Sequence, residues 1–192
     1  MTNKLPVVAF HSPVQSKLFL LCLFISLLMC GATSVSAQTG ITVSPRVGIS
    51  SNNFQKHGLG LRFDPFWTYS SGKWNLSVSP EVELSHLRYS GNKAGPGNLN
   101  QVAGSAAFRV TYGDSDFRPY AEVGLGGSWL SRDKLGDKEL STHFQFTEYI
   151  GAGVEFKQNW YAGLQYIHIS NADIKKPNDG LDLYQFVLGF RF

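Results

Sequence analysis

The chain has 192 residues, with 17 lysines and arginines against 14 aspartates and glutamates, enough for one domain and too balanced in charge for a nucleic-acid binder. Its two cysteines, Cys22 and Cys30, both fall near the start, so the remainder has neither disulfide nor thiol chemistry. Lys4 and Lys17 open the chain without an acidic residue, Leu18 to Cys30 is an unbroken apolar run, and Val35-Ser36-Ala37 places small residues at the −3 and −1 positions of a cleavage site. This predicts a secretory signal peptide over 1–37, with Gln38 as the new N-terminus. The apolar run is shorter than the ~20 residues of a membrane-spanning helix. Met29 is too bulky ahead of Cys30 for a lipoprotein site.

From 38 to 192 the chain reads as strands, near 41–50, 59–69, 73–88, 99–112, 118–130, 143–156, 160–170 and 182–192. The clearest alternation runs from Lys73 to Ser85. Trp74, Leu76, Val78, Val82 and Leu84 share one face, and Asn75, Ser77, Ser79, Glu81 and Glu83 share the other. Two glutamates on one strand face are costly in a dry core but at home in the polar interior of a membrane barrel. The connections near 70–72, 113–117 and 157–159 are short, whereas those near 51–58, 89–98, 131–142 and 171–181 are long and polar. Short periplasmic turns alternating with longer external loops are the pattern of bacterial outer-membrane barrels. The last strand alternates Tyr184, Phe186, Leu188, Phe190 and Phe192, ending on the aromatic. That ending resembles the C-terminal recognition signal of such barrels and fits a buried edge strand of a soluble sandwich less well.

Few motifs carry chemistry. His57, His86 and His143 have no metal-ligand spacing, the clusters Gly58-Leu59-Gly60 and Gly124-Leu125-Gly126-Gly127 lack the residues of a phosphate loop, and no Gly-x-Ser-x-Gly elbow is present. One stretch differs: Tyr166-Ile-His168-Ile-Ser170-Asn171-Ala172-Asp173, then Lys-Lys-Pro177-Asn178-Asp179-Gly180-Leu181-Asp182. His168 and Ser170 lie two apart on a predicted strand and so share a face. A histidine there can take the proton that a serine must lose to attack an ester, and a carboxylate must then orient the imidazole. Asp182 begins the returning strand with the parity of Tyr184 and Phe186, which places all three groups on the outer wall. From Asp182 to Phe192 is roughly 33 Å of strand at ~3.3 Å per residue. Tilted by ~40° it rises about 25 Å, the height of a barrel's apolar band, so Asp182 is expected at the outer rim. Asp173 and Asp179 are rival acids within the predicted loop.

His168-Ile-Ser170-Asn171-Ala172 followed by Lys-Pro177-Asn178-Asp179-Gly180 resembles the signature of the outer-membrane lipid A 3-O-deacylases, the PagL family. The resemblance implies an all-β, eight-stranded antiparallel up-and-down transmembrane barrel in the outer membrane of a Gram-negative bacterium, with its active site facing lipid at the outer leaflet. It implies a serine esterase that removes the 3-O-linked hydroxyacyl chain from the lipid A of lipopolysaccharide without cofactor or metal. By resemblance Ser170 is the nucleophile, His168 the general base and Asp182 the triad acid, with Asn171 and Asn178 near the oxyanion hole. The family enzyme carries glutamate where this chain has Asp182, a departure that shortens the acid's reach. Outer-membrane phospholipase A shares His-x-Ser-Asn, but it is a larger, twelve-stranded, calcium-dependent barrel with an asparagine as third member. A non-enzymatic small barrel for adhesion or membrane integrity is the reading from another class. The expected partners are lipopolysaccharide and outer-membrane lipid, with no nucleic acid; a homodimer is compatible with the sequence, in which nothing decides it. Lys56, Arg132, Lys134, Lys138, Lys175 and Lys176 fall in predicted external loops, where they are either phosphate ligands or solvated charges balanced by nearby acids.

Overall fold

The computed structural model describes residues 40–157 and 159–192. The expected signal peptide, 1–37, and its cleavage site lie outside the described residues. The strands are β1 (Ile41–Ile49), β2 (Phe54–Phe63), β3 (Trp67–Ser71), β4 (Trp74–Tyr89), β5 (Asn98–Tyr112), β6 (Phe117–Leu130), β7 (Lys134–Leu135), β8 (Lys138–Glu139), β9 (Phe144–Phe156), β10 (Trp160–Ser170) and β11 (Leu181–Arg191). All pairings are antiparallel: β6 pairs with β9 across the intervening β7 and β8, and β11 closes onto β1. β2 and β3 both pair with β4, from Phe54↔Tyr89 to Ser71↔Trp74, and so form one wall strand interrupted at 64–66. Pro65, within that interruption, has no N–H to give to the ladder. β7 and β8 pair only with each other, which leaves a closed, eight-stranded antiparallel barrel among the described residues. Closure removes the free sheet edge that lipid cannot satisfy.

Alternation sorts the side chains into an interior and an outward wall. At the end where the turns are short, the interior is a web of ion pairs. Arg46 bonds Glu81 and Glu83, Arg62 bonds Glu81 and Glu122, and Arg109 bonds Glu122 and Glu155, at 2.8–3.0 Å. The two glutamates of the Lys73–Ser85 stretch thus face inward as their period predicted. At the loop end the interior is apolar: Phe54, Leu87, Leu99, Leu130, Ile167, Ile169, Leu181 and Leu183 pack together. The outward wall carries exposed Val47, Leu59, Leu84, Val102, Ile150, Leu164 and Phe186. Ring pairs flank it at both ends, Trp74–Tyr112 and Trp160–Phe190 at the turn end and Tyr166–Tyr184 at the loop end. Aromatic girdles around an apolar band are the signature of a membrane barrel.

Two expectations change. The second wall strand begins at Phe54 rather than near 59, which shrinks the first long connection to 50–53. Lys56 is therefore not a loop residue; its ammonium is buried in the lumen, 2.6 Å from Glu83 Oε1. The segment 131–143 is also more than a polar loop. Its β7–β8 hairpin turns at Gly136 (φ 57°), and it sends Leu135 and Leu140, both fully buried, down into the apolar mouth.

Candidate active site

The register of β10 and β11 sets the site. His168 lies directly opposite Asp182, and Tyr166 opposite Tyr184. All four are on the outward parity, with His168 and Asp182 side chains about half exposed (43% and 51%). His168 Nδ1–H donates to Asp182 Oδ1 at 2.8 Å. That bond commits Nδ1 and leaves Nε2 as the acceptor, the tautomer a general base requires. Ser170 closes β10 two residues on, on the same face, at the lip of the barrel. Its Oγ makes no hydrogen bond to His168 among the described residues; nucleophile–base contacts are commonly loose until substrate is bound.

The loop 171–180 is built to return the chain to Asp182. Ala172 and Asp173 adopt positive φ (53° and 62°), which turns the backbone sharply after Ser170. Asn171 is fully buried, and its Nδ2 donates to Leu140 O and Lys175 O at 2.8 Å each. Asn178 accepts the Asn171 backbone N–H through Oδ1 at 3.2 Å, and its Nδ2 donates to Asp173 Oδ1 at 3.3 Å. Both asparagines thus help hold the loop that follows Ser170, Asn171 with both of its amide hydrogens and Asn178 with one of its two. The β7–β8 hairpin grips the same loop from outside. Asp179 N–H donates to Glu139 O (3.1 Å), Glu139 N–H donates to Asp179 Oδ2 (2.8 Å), and Ser141 Oγ donates to Pro177 O (2.6 Å). Asp173 and Asp179, the rival acids, are accordingly occupied within the loop and its clamp.

Three neighbours were not singled out by sequence. Gly180 (φ 62°) abuts both reacting groups, since a Cβ built on it lies 3.3 Å from His168 Cε1 and 3.8 Å from Ser170 Cβ. The sequence marks it only as a turn glycine. Glu148 on β9 is the other register partner of His168, on the outward face; His168 Nδ1 nevertheless bonds Asp182. Tyr166 Oη–H donates to the same Asp182 oxygen at 2.7 Å. Its signal was its position two residues before His168 on a common face. An imidazole bonded to a carboxylate, with a serine two residues on along the same outward face, is the set of side chains that acyl transfer to serine uses.

Comparison with known proteins identifies relatives of the chain as a whole. A family model described as lipid A 3-O-deacylase (PagL) matches residues 38–191. The lipid A deacylase PagL of Bordetella bronchiseptica is 32% identical over 170 residues, spanning 88% of this chain and 93% of that protein. The lipid A deacylase PagL of Pseudomonas aeruginosa is 28% identical over 153 residues, spanning 78% and 86%. The crystal structure of the outer membrane enzyme PagL superposes with a TM-score of 0.70, covering 78% of this chain and 98% of that one; at 24% identity it supports the barrel fold.

Proposed function

The chain belongs to the lipid A 3-O-deacylase family, PagL, and from that premise we propose that it hydrolyses the 3-O-linked hydroxyacyl ester of lipid A by a Ser170–His168–Asp182 mechanism. The observation that carries this reading is the His168 Nδ1–Asp182 Oδ1 bond on the outward wall, with Ser170 on the same face at the loop end. Ser170 Oγ attacks the ester carbonyl while His168 Nε2 takes its proton. Asp182 holds the imidazole and offsets the charge it gains. The imidazolium then returns the proton to the departing sugar oxygen, and water, activated by the same histidine, releases the 3-hydroxy acid from Ser170. Asn171 and Asn178 serve the oxyanion side by shaping the loop after Ser170. Both Asn171 amide hydrogens are taken, by Leu140 O and Lys175 O, whereas Asn178 Nδ2 gives one of its two to Asp173 Oδ1, so the donors in this scheme are the second Asn178 N–H and backbone N–H groups of the loop.

Membrane depth supports the substrate class. The loop end, by the topology of bacterial barrels, meets the outer leaflet, where the lipid is lipopolysaccharide. An ester near the sugar headgroup then lies level with His168, and acyl chains lie along exposed Leu164, Phe186 and Ile150. The test is lipid A incubated with purified protein in the presence of a chelator. The expected product is free 3-hydroxy acid, and Ser170→Ala and His168→Ala should each lower the rate roughly 10³-fold or more. Undiminished activity in Ser170→Ala removes the mechanism. A calcium requirement with release of unsubstituted fatty acids would instead identify a phospholipase.

A further inference from the structure

We propose that Tyr166 is a positioning residue for this reaction, locking the Asp182 carboxylate through its hydroxyl; this rests on the Ser170–His168–Asp182 reading above. Two donors converge on one oxygen. His168 Nδ1–H and Tyr166 Oη–H reach Asp182 Oδ1 at 2.8 and 2.7 Å. They come from residues i and i+2 on one face of one strand, and their target is on the next strand. A rotation of Asp182 that releases one bond therefore releases both. The histidine approaches directly across the ladder, and the phenol reaches diagonally from the membrane side. The Tyr166 ring is itself braced by Tyr184, with centroids 5.5 Å apart and planes tilted by 56°.

The location makes such a lock necessary. Asp182 stands on an outward wall, half exposed, with His168 and Tyr166 as its hydrogen-bond partners. A carboxylate on a lipid-facing surface needs donors to remain ionised and needs packing to remain oriented. Core triads obtain orientation from burial; here the acid is only half buried, and Tyr166 supplies a second donor that holds it. Asp182 in turn fixes the imidazole that must take the Ser170 proton, so Tyr166 acts through Asp182 and touches no reacting atom.

A tyrosine at this depth could equally be an interfacial anchor, a role its ring alone would fill. Tyr166→Phe separates the two, because it keeps the ring and removes only the hydroxyl. Two rates are measured on membrane-inserted protein whose barrel signature is intact by circular dichroism. One is kcat and KM for lipid A deacylation, and the other is phosphonylation of Ser170 by a fluorophosphonate, which reports serine activation whatever the natural ester is. Loss of a hydrogen bond to a charged group predicts a fall of about ten- to a hundredfold in kcat and in the labelling rate, with KM unchanged. In an Asp182→Ala background, Tyr166→Phe should have no further effect on labelling, because the partner through which it acts is gone. Wild-type rates in Tyr166→Phe, or a full additive loss in the Asp182→Ala background, would overturn the proposal. Brisk labelling of Ser170 without lipid A turnover would reject the substrate while the labelling rates still decide the role of Tyr166. Absence of both would reject the mechanism and this inference together.

Discussion

At the scale of single residues, the site is governed by what stands within one side chain's reach of His168. Gly180 is one such neighbour. Its φ of 62° lies in the left-handed region, and a Cβ there would press on His168 Cε1 at 3.3 Å while standing 3.8 Å from Ser170 Cβ. Gly180→Ala should therefore act twice, by backbone strain of roughly 1 kcal/mol or more and by displacing the imidazole from its acceptor position. Small displacements of a catalytic base are costly, so deacylation should fall about tenfold or more while the barrel still folds. Wild-type turnover in Gly180→Ala would show that the imidazole has room to move. The sequence displayed His168, Ser170 and Asp182 as a constellation because strand parity is an arithmetic property of the chain. The sequence shows Tyr166 beside His168 but not its role, since its bond crosses diagonally to a residue opposite His168 and needs the pairing register to be seen. Glu148, on the preceding strand β9, was hidden for the same reason, since its place beside His168 also needs the pairing register.

At the scale of elements, the β7–β8 hairpin acts as a clamp on the loop that carries the chain from Ser170 to Asp182. Its hold is a pair of reciprocal bonds between Asp179 and Glu139, reinforced by Ser141 to Pro177 and by Asn171 to Leu140. Removing the Asp179 carboxylate deletes one exposed hydrogen bond, worth about 0.5–1.5 kcal/mol, too little to unfold a barrel. Asp179→Ala should thus leave global stability nearly unchanged, lower turnover several-fold and speed limited proteolysis within 131–143. Unaltered cleavage and turnover would mean that the hairpin is not a clamp. Sequence reasoning read this segment as a polar loop because two-residue strands have no period to detect. Its anchors, Leu135 and Leu140, are isolated apolar residues among charges. The early start of β2 was missed for the opposite reason. Gln55-Lys56-His57-Gly58 looks like loop until Lys56 is placed inside a lumen that offers it Glu83. The long alternating strands β4, β10 and β11 were legible because one face meets lipid and the other a polar interior, so hydrophobicity itself carries the period.

At the scale of the whole molecule, the barrel is filled rather than hollow. Ion pairs among Arg46, Arg62, Arg109, Glu81, Glu83, Glu122 and Glu155 occupy one half of the interior, and an apolar cluster sealed by Leu135 and Leu140 occupies the other. A charged lumen in series with a dry plug should pass no ions. Purified protein in a planar bilayer is expected to show no stepwise conductance, and channel openings would mean that the plug departs from the mouth. Breaking the ion-pair web by removing one partner leaves a buried charge unpaired, at a cost of about 3–5 kcal/mol.

The outward placement of His168, Ser170 and Asp182 alters what concentration means for this enzyme. A filled barrel offers no route through its axis, and in the proposed mechanism the reacting groups open sideways, so that substrate would arrive by lateral diffusion within one leaflet. Encounter then happens in two dimensions, and the quantity that governs rate is the number of substrate molecules per unit area of membrane. Adding inert lipid or detergent at constant total substrate would slow turnover by surface dilution, and adding water would not. In a cell, the enzyme's output would follow the crowding and fluidity of its leaflet, properties that lie in the membrane and outside the protein altogether.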